Sequence, residues 1–176
     1  EPVRSFSQPP KKSLKQFKYN YQAAADAHFT IFEFLVEPSH DNELAYYIAN
    51  KLTKTGDYEF QPLVFYGPEN AGKTHLLKAI GKAYVRNHPY KKVLYLTGLE
   101  FYQRFAYSIR KKQYRQLREM MDNCDLVLLD DFQLLQNKLK SQQELRSLLD
   151  FWARKKKHVI VGSRLPMDQT TFHDPK

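Results

Sequence analysis

Gly67-Pro68-Glu69-Asn70-Ala71-Gly72-Lys73-Thr74 has the form G-x-x-x-x-G-K-T. These residue types at this spacing suit one chemistry, the holding of phosphate groups. Glycines let successive backbone N–H groups curl around an anion. A lysine beside the second glycine reaches the β- and γ-phosphates, and the hydroxyl after it ligates Mg²⁺. Those roles fall to Lys73 and Thr74, with Gly67, Pro68, Glu69, Asn70, Ala71, Gly72 and His75 forming the rest of the cradle. The surroundings match what such a loop requires. The apolar run Leu63-Val64-Phe65-Tyr66 precedes it, and an amphipathic helical pattern over Leu76–Val85 follows. The helix that begins there directs its positive end at the phosphates. A nucleotide with Mg²⁺ is therefore the expected ligand.

A second cluster of chemistry lies downstream. Leu126-Val127-Leu128-Leu129 is apolar throughout, as a buried parallel strand should be, and it delivers Asp130-Asp131 at its carboxyl end. An acidic strand end after a phosphate loop is the Walker B arrangement. Asp130 is expected to hold Mg²⁺, through water because Mg²⁺ keeps much of its hydration shell. Asp131 is expected to orient or deprotonate an attacking water, the alternative being a cap on the next helix. The strand His158-Val159-Ile160-Val161-Gly162 should end in a group that senses the γ-phosphate. Ser163 is in place for this, unless it merely serves the turn, and the adjacent Arg164 has the charge to neutralise phosphate. The sheet is expected to set the phosphate loop and the acidic pair side by side at one edge.

The elements that must position these groups alternate. A helix begins at Asp41 or Asn42 and runs to about Lys54, with Leu44, Tyr47, Ile48 and Leu52 on one face. Strand Leu63–Tyr66 leads through the loop to a helix ending near Asn87, before His88-Pro89. Val93–Thr97 is the next strand. A helix after Gly98 carries Phe101, Phe105 and Ile109 on one face, and another piece spans about Tyr114–Met121. After the acidic strand, a helix from Ser141 bears Leu145, Leu148, Leu149 and Trp152. It ends in Lys155-Lys156-Lys157, placed to complement its dipole. Alternation of this kind predicts an α/β fold with a parallel sheet flanked by helices.

The chain has 176 residues, enough for one domain with a core of its own. Residues 1–28, basic and proline-containing, read as a linker or tail, and 29–176 as the nucleotide-binding domain. Phe29–Val36 is aromatic and β-branched, suited to an extended segment at the domain edge. No apolar run is long enough to span a membrane, and Glu1-Pro2-Val3-Arg4-Ser5 does not resemble a secretory signal. Cys124 is the lone cysteine, so there is no disulfide framework and a cytoplasmic location is expected. The net charge of +9 points to a polyanionic partner such as nucleic acid, or simply to a basic surface.

Taken in order, these segments resemble the AAA+ ATPase domain of the DnaA family of bacterial replication initiators. The resemblance rests on Asn42-Glu43-Leu44-Ala45, on Pro62–Gly67, and on Gly72-Lys73-Thr74-His75-Leu76-Leu77-Lys78-Ala79-Ile80-Gly81. It continues through Val93–Thr97 with Glu100-Phe101, Leu128-Leu129-Asp130-Asp131-Phe132-Gln133, Asn137–Glu144, and Ser163 with Pro166. It covers about residues 29–167. It implies a P-loop AAA+ core that binds ATP or ADP with Mg²⁺ and self-associates through its AAA+ face. It also implies engagement of single-stranded DNA at the replication origin, with ATP hydrolysis confined to the assembled full-length protein. Lys138 and Lys140 match the family's basic pair on DNA phosphates, and Ala106 falls near its apolar DNA contact. Read from the residues alone, the two lysines could equally be a solvated loop. Two residues before Pro166, where the family's pattern usually has aspartate, this chain has Arg164. Glu69 places an anion beside the phosphate cradle, which electrostatics disfavours unless its side chain turns outward. No match appears for the arginine finger, fifth strand, helical lid or helix-turn-helix, so a core without the lid, truncated at its C-terminal end, is expected. A regulatory paralogue or a helicase loader, docking on an initiator or replicative helicase, is the alternative reading.

Overall fold

The structure is a computed structural model and describes residues 42–58 and 62–166. The tail, the Phe29–Val36 segment, the candidate cap at Asp41 and the loop beyond residue 167 lie outside the described residues.

The strand β3, Leu126–Asp130, is buried along its whole length. Side chains on a strand alternate between faces. Leu126 and Leu128 therefore enter one core, with Leu76, Leu77, Ile80 and Tyr84, while Val127 and Leu129 enter a second, with Phe101, Leu145, Leu148 and Trp152. A strand apolar on both faces needs helices on both faces, which is what makes the fold three-layered. In chain order the elements are α1 (Asn42–Thr55), β1 (Leu63–Tyr66), α2 (Lys73–Asn87), β2 (Val93–Thr97), α3 (Gly98–Arg110), α4 (Tyr114–Asp122) and β3. A short 3-10 turn (Phe132–Leu135), α5 (Leu139–Arg154) and β4 (His158–Ser163) complete it. The described strands form one parallel sheet in the order β1-β4-β3-β2. This is the α/β core expected from the alternation of elements.

The order corrects one expectation. The phosphate loop and the acidic pair do not stand side by side, because β4 lies between β1 and β3. The sequence shows which strands exist but not that the last is inserted between two earlier ones. The insertion brings Ser163 and Arg164 to the middle of the carboxyl edge, between the two nucleotide motifs.

Three local expectations also change. Ile109 is 53% exposed although Phe101 is fully buried. At about 100° per residue, eight residues rotate a side chain about 80° away from the starting face. Helix α5 begins at Leu139 rather than after Ser141, because Gln142 N–H already donates to Lys138 carbonyl at 3.0 Å. The Gln142 side chain donates to Leu135 carbonyl at 2.7 Å and ties the helix start to the 3-10 turn. The Lys157 side chain does not serve its own helix, although its backbone N–H donates to the Trp152 carbonyl at 2.9 Å. Its ammonium donates to the carbonyls of Met121 and Asp122 at the end of α4, where a cation complements the dipole of that other helix.

Trp152 is fully buried, and its indole N–H donates to Asp122 at 3.0 Å. Cys124 is buried too, and burial pushes its thiol up to about 12. Its thiolate is thus scarce at neutral pH, and its role is packing.

Candidate nucleotide site

Helix α2 begins without any side-chain cap and without an acidic residue in its first turn. The first N–H groups of a helix have no partner inside it. The preceding Gly72 has φ +82°, a left-handed conformation that glycine adopts without steric cost. This twist turns the loop into the helix, so that the helix start faces a cleft of about 400 Å³. The cleft is lined by Glu69, Asn70, Gly72, Lys73, Thr74, His75, Asp131 and Arg164. The loop, Asp131 and the residue after β4 thus meet at one place, drawn from three strand ends.

Lys73 donates to the carbonyls of Gly67 at 2.8 Å and Pro68 at 2.6 Å. Two of its three ammonium protons are committed to the loop, which holds the charge at the cleft floor. Asn70 adopts φ +62° in the turn between the glycines, a conformation asparagine tolerates better than most residues. The donor set, a cationic side chain and an uncapped helix start with a hydroxyl at Thr74, fits the phosphates of a nucleotide. The Asp131 carboxylate in the cleft, with Asp130 buried directly before it, fits the hard cation that accompanies them.

The two aspartates differ sharply in setting. Asp130 is 1% exposed. One of its carboxylate oxygens accepts from Tyr95 hydroxyl at 2.8 Å and the other from Asp131 N–H at 2.9 Å. Asp131 lines the cleft and has φ +48°. It precedes the 3-10 turn but makes no side-chain cap to it, so the capping alternative does not describe its carboxylate. Instead Gln133 Nε2 donates to Asp131 Oδ1 at 3.0 Å. Gln133 Oε1 in turn accepts from Arg164 N–H at 3.1 Å. One amide side chain therefore spans the Asp131 carboxylate and the backbone after β4.

Ser163 is fully buried, and its hydroxyl accepts from Leu165 N–H at 3.2 Å. The neighbouring Arg164 is the residue of that loop that lines the cleft. Its guanidinium pairs with Glu69. Glu69 has therefore not turned away from the cleft: it lines it, 62% exposed, with its charge met by Arg164.

Residues outside the motifs hold this geometry. A Cβ at Gly162 would lie 2.7 Å from Asp130 Oδ1 and 3.3 Å from Leu77, and one at Gly98 2.8 Å from the Asp131 carbonyl. The Asp130 carboxylate thus packs closely on β4, and the Asp131 carbonyl on the first residue of α3. Tyr95, Gln133 and these glycines were not among the expected site residues. Only the Asp-Asp-x-Gln spacing carried any signal for them.

Lys138 and Lys140 lie away from this cleft, both exposed at the start of α5. The Lys138 ammonium sits 4.9 Å from the ring centroid of Tyr102 on α3. Tyr102 and Ala106 are four residues apart on that helix and so share a face. Lys138 and Ala106 are in this way brought to one surface.

Comparison with known proteins agrees with this architecture. The family model of the bacterial DnaA ATPase domain matches residues 26–175. The chromosomal replication initiator protein DnaA of Cereibacter sphaeroides is 30% identical over 162 residues, covering 92% of this chain and 34% of that protein. The chain spans about a third of the length of the curated relatives it matches. A solved replication initiator DnaA, bound to AMPPCP and single-stranded DNA, aligns with TM-score 0.75 at 28% identity, over 83% of this chain and 44% of that one. The DnaC helicase loader shares the fold with TM-score 0.66 at 15% identity, over 85% of this chain and 81% of its own. By its fold and by the extent of the family match, the chain belongs to the bacterial DnaA ATPase-domain family.

Proposed function

We propose that this chain is the ATP-binding AAA+ module of a DnaA-type replication initiator, assembling with ATP and engaging single-stranded DNA of the origin. The observation that supports it most is the meeting of the phosphate loop, Asp131 and Arg164 in one cleft, with a separate basic surface at α5. In this reading Lys73 and the start of α2 would hold the β- and γ-phosphates, and Thr74 with Asp130, through water, would hold Mg²⁺. Mg²⁺ supplies neutralisation of phosphate charge. Asp131 orients the attacking water and accepts its proton, kept in position by Gln133. Tyr95 fixes Asp130 behind it. Hydrolysis is a property of the assembled protein, in which neighbouring subunits supply further charge.

The DNA surface has its own physical logic. Lys138 and Lys140 stand at the amino end of α5, with no acidic residue in its first turn. Cations there oppose the helix dipole at a cost of about 0.3–1 kcal/mol each. A phosphate placed there meets both lysines and the uncapped helix start, which converts that cost into binding. Two such contacts carry affinity and no base readout.

The test is the binding of labelled oligo-dT, followed by fluorescence anisotropy, with ATP and with ADP. ATP is expected to raise DNA affinity over ADP. Lys138→Ala with Lys140→Ala should flatten the plot of log affinity against log salt by about 0.7 per lost phosphate contact. Nucleotide binding with no response of DNA affinity would count against the initiator reading. It would favour a regulator or loader that works through protein contacts.

A further inference from the structure

Two charged side chains of the cleft are paired with each other. Glu69 belongs to the phosphate loop and Arg164 to the loop after β4, and they form an ion pair across the cleft. We infer that this pair is an exchangeable contact through which the chain distinguishes nucleoside triphosphate from diphosphate. The inference rests on the nucleotide reading of the cleft and deepens it.

Position comes first. Both residues line the same cleft as Lys73, Thr74 and Asp131. A carboxylate in a phosphate cradle repels the ligand the cradle is built for. Here its charge is offset by Arg164, so the loop carries an internal anion on the same arginine that a phosphate would attract. The planar guanidinium binds carboxylate and phosphate with the same fork of donors, so one can replace the other.

Strength comes second. The two side chains are 47% and 62% exposed. A pair this open to water gains little from its own contact. It is therefore cheap to break when a more highly charged partner arrives. A triphosphate adds a terminal phosphate to the cleft, whereas a diphosphate does not. Arg164 is drawn to the terminal phosphate, and Glu69 swings to solvent. With a diphosphate the pair persists.

Connection comes third. The Arg164 backbone N–H is held by Gln133, whose amide also holds the Asp131 carboxylate. Movement of Arg164 onto phosphate is thus transmitted to the residue assigned to water activation. Glu69 and Arg164, 95 residues apart in sequence, make one device.

The test is a double-mutant cycle on nucleotide affinity, measured by calorimetry with ATP and with ADP in excess Mg²⁺. Arg164→Ala is expected to weaken ATP about tenfold, and ADP by no more than about threefold. Glu69→Gln should tighten ATP about fivefold, with ADP nearly unchanged. In the Arg164→Ala background the gain from Glu69→Gln should shrink, because no pair remains to be broken. Equal gains with and without Arg164, or equal effects on the two nucleotides, would overturn the exchange. Wild-type chain that binds neither nucleotide would overturn the nucleotide reading itself, and the exchange with it. Both side chains are well exposed, so these variants should fold.

Discussion

Lys73→Ala should weaken nucleotide binding by about 10- to 150-fold. Its ammonium is held at the cleft floor by the carbonyls of Gly67 and Pro68. It is therefore already in place when phosphate arrives, and little ordering is needed. A hydrogen bond to a charged group is worth about 1.5–3 kcal/mol, and each 1.4 kcal/mol is about tenfold in affinity. Against this, the substitution costs the fold little. The side chain lies in the cleft wall, outside both hydrophobic cores. Titration of a fluorescent ATP analogue gives the affinity, and a thermal melt gives the control. The expected result is a large loss of binding with a nearly unchanged melting temperature. A melt that fell along with the affinity would mean that Lys73 acts as a structural tie of the loop.

The second large effect is expected from the smallest change, Gly162→Ala. The new Cβ would sit 2.7 Å from Asp130 Oδ1, a distance such atoms do not tolerate. Asp130 cannot simply turn away. It is 1% exposed, and its carboxylate is held by Tyr95 hydroxyl and Asp131 N–H. Overpacking a core of this kind costs about 1–3 kcal/mol. For a domain of this size each kcal/mol lowers the melting temperature by about 2–4 °C. A functional signature should accompany the loss. Displacing Asp130 also moves Asp131, so Mg²⁺ should enhance ATP binding less in this variant than in wild type. Loss of stability with an intact Mg²⁺ response would mean that Asp130 only packs the strand end.

The fold was legible because its signals are local. The alternation of apolar strands with helical patterns, and the Gly67–Thr74 spacing, each lie within a few residues. What the sequence did not show depends on which strands are neighbours. The insertion of β4 between β1 and β3 places Arg164 across the cleft from Glu69, and nothing in either segment announces it. Taken one at a time, a glutamate in the phosphate loop looked unfavourable and an arginine after β4 looked out of place. Together they neutralise each other. The tie between Asp130 and Tyr95 is hidden in the same way, since it spans two strands. By contrast, the cap of α3 is written in local sequence. Thr97 and Glu100 have the spacing of a capping box, and each satisfies the backbone N–H of the other. The start of α5 misled because Ser141 is a good cap by type, yet it is 2% exposed inside the helix. The proposed DNA surface was legible only through family resemblance. Two lysines in a loop say little until their place at a helix start, with Lys138 over the Tyr102 ring, is known.

Whether the cleft at the start of α2 holds the phosphates of a nucleotide with Mg²⁺ is decided by calorimetric titration of ATP into the wild-type chain, with and without Mg²⁺. One ATP per chain is expected, bound more tightly when Mg²⁺ is present, and displaced by inorganic triphosphate. Absence of binding at millimolar ATP, or binding that inorganic triphosphate fails to displace, would contradict a phosphate site there.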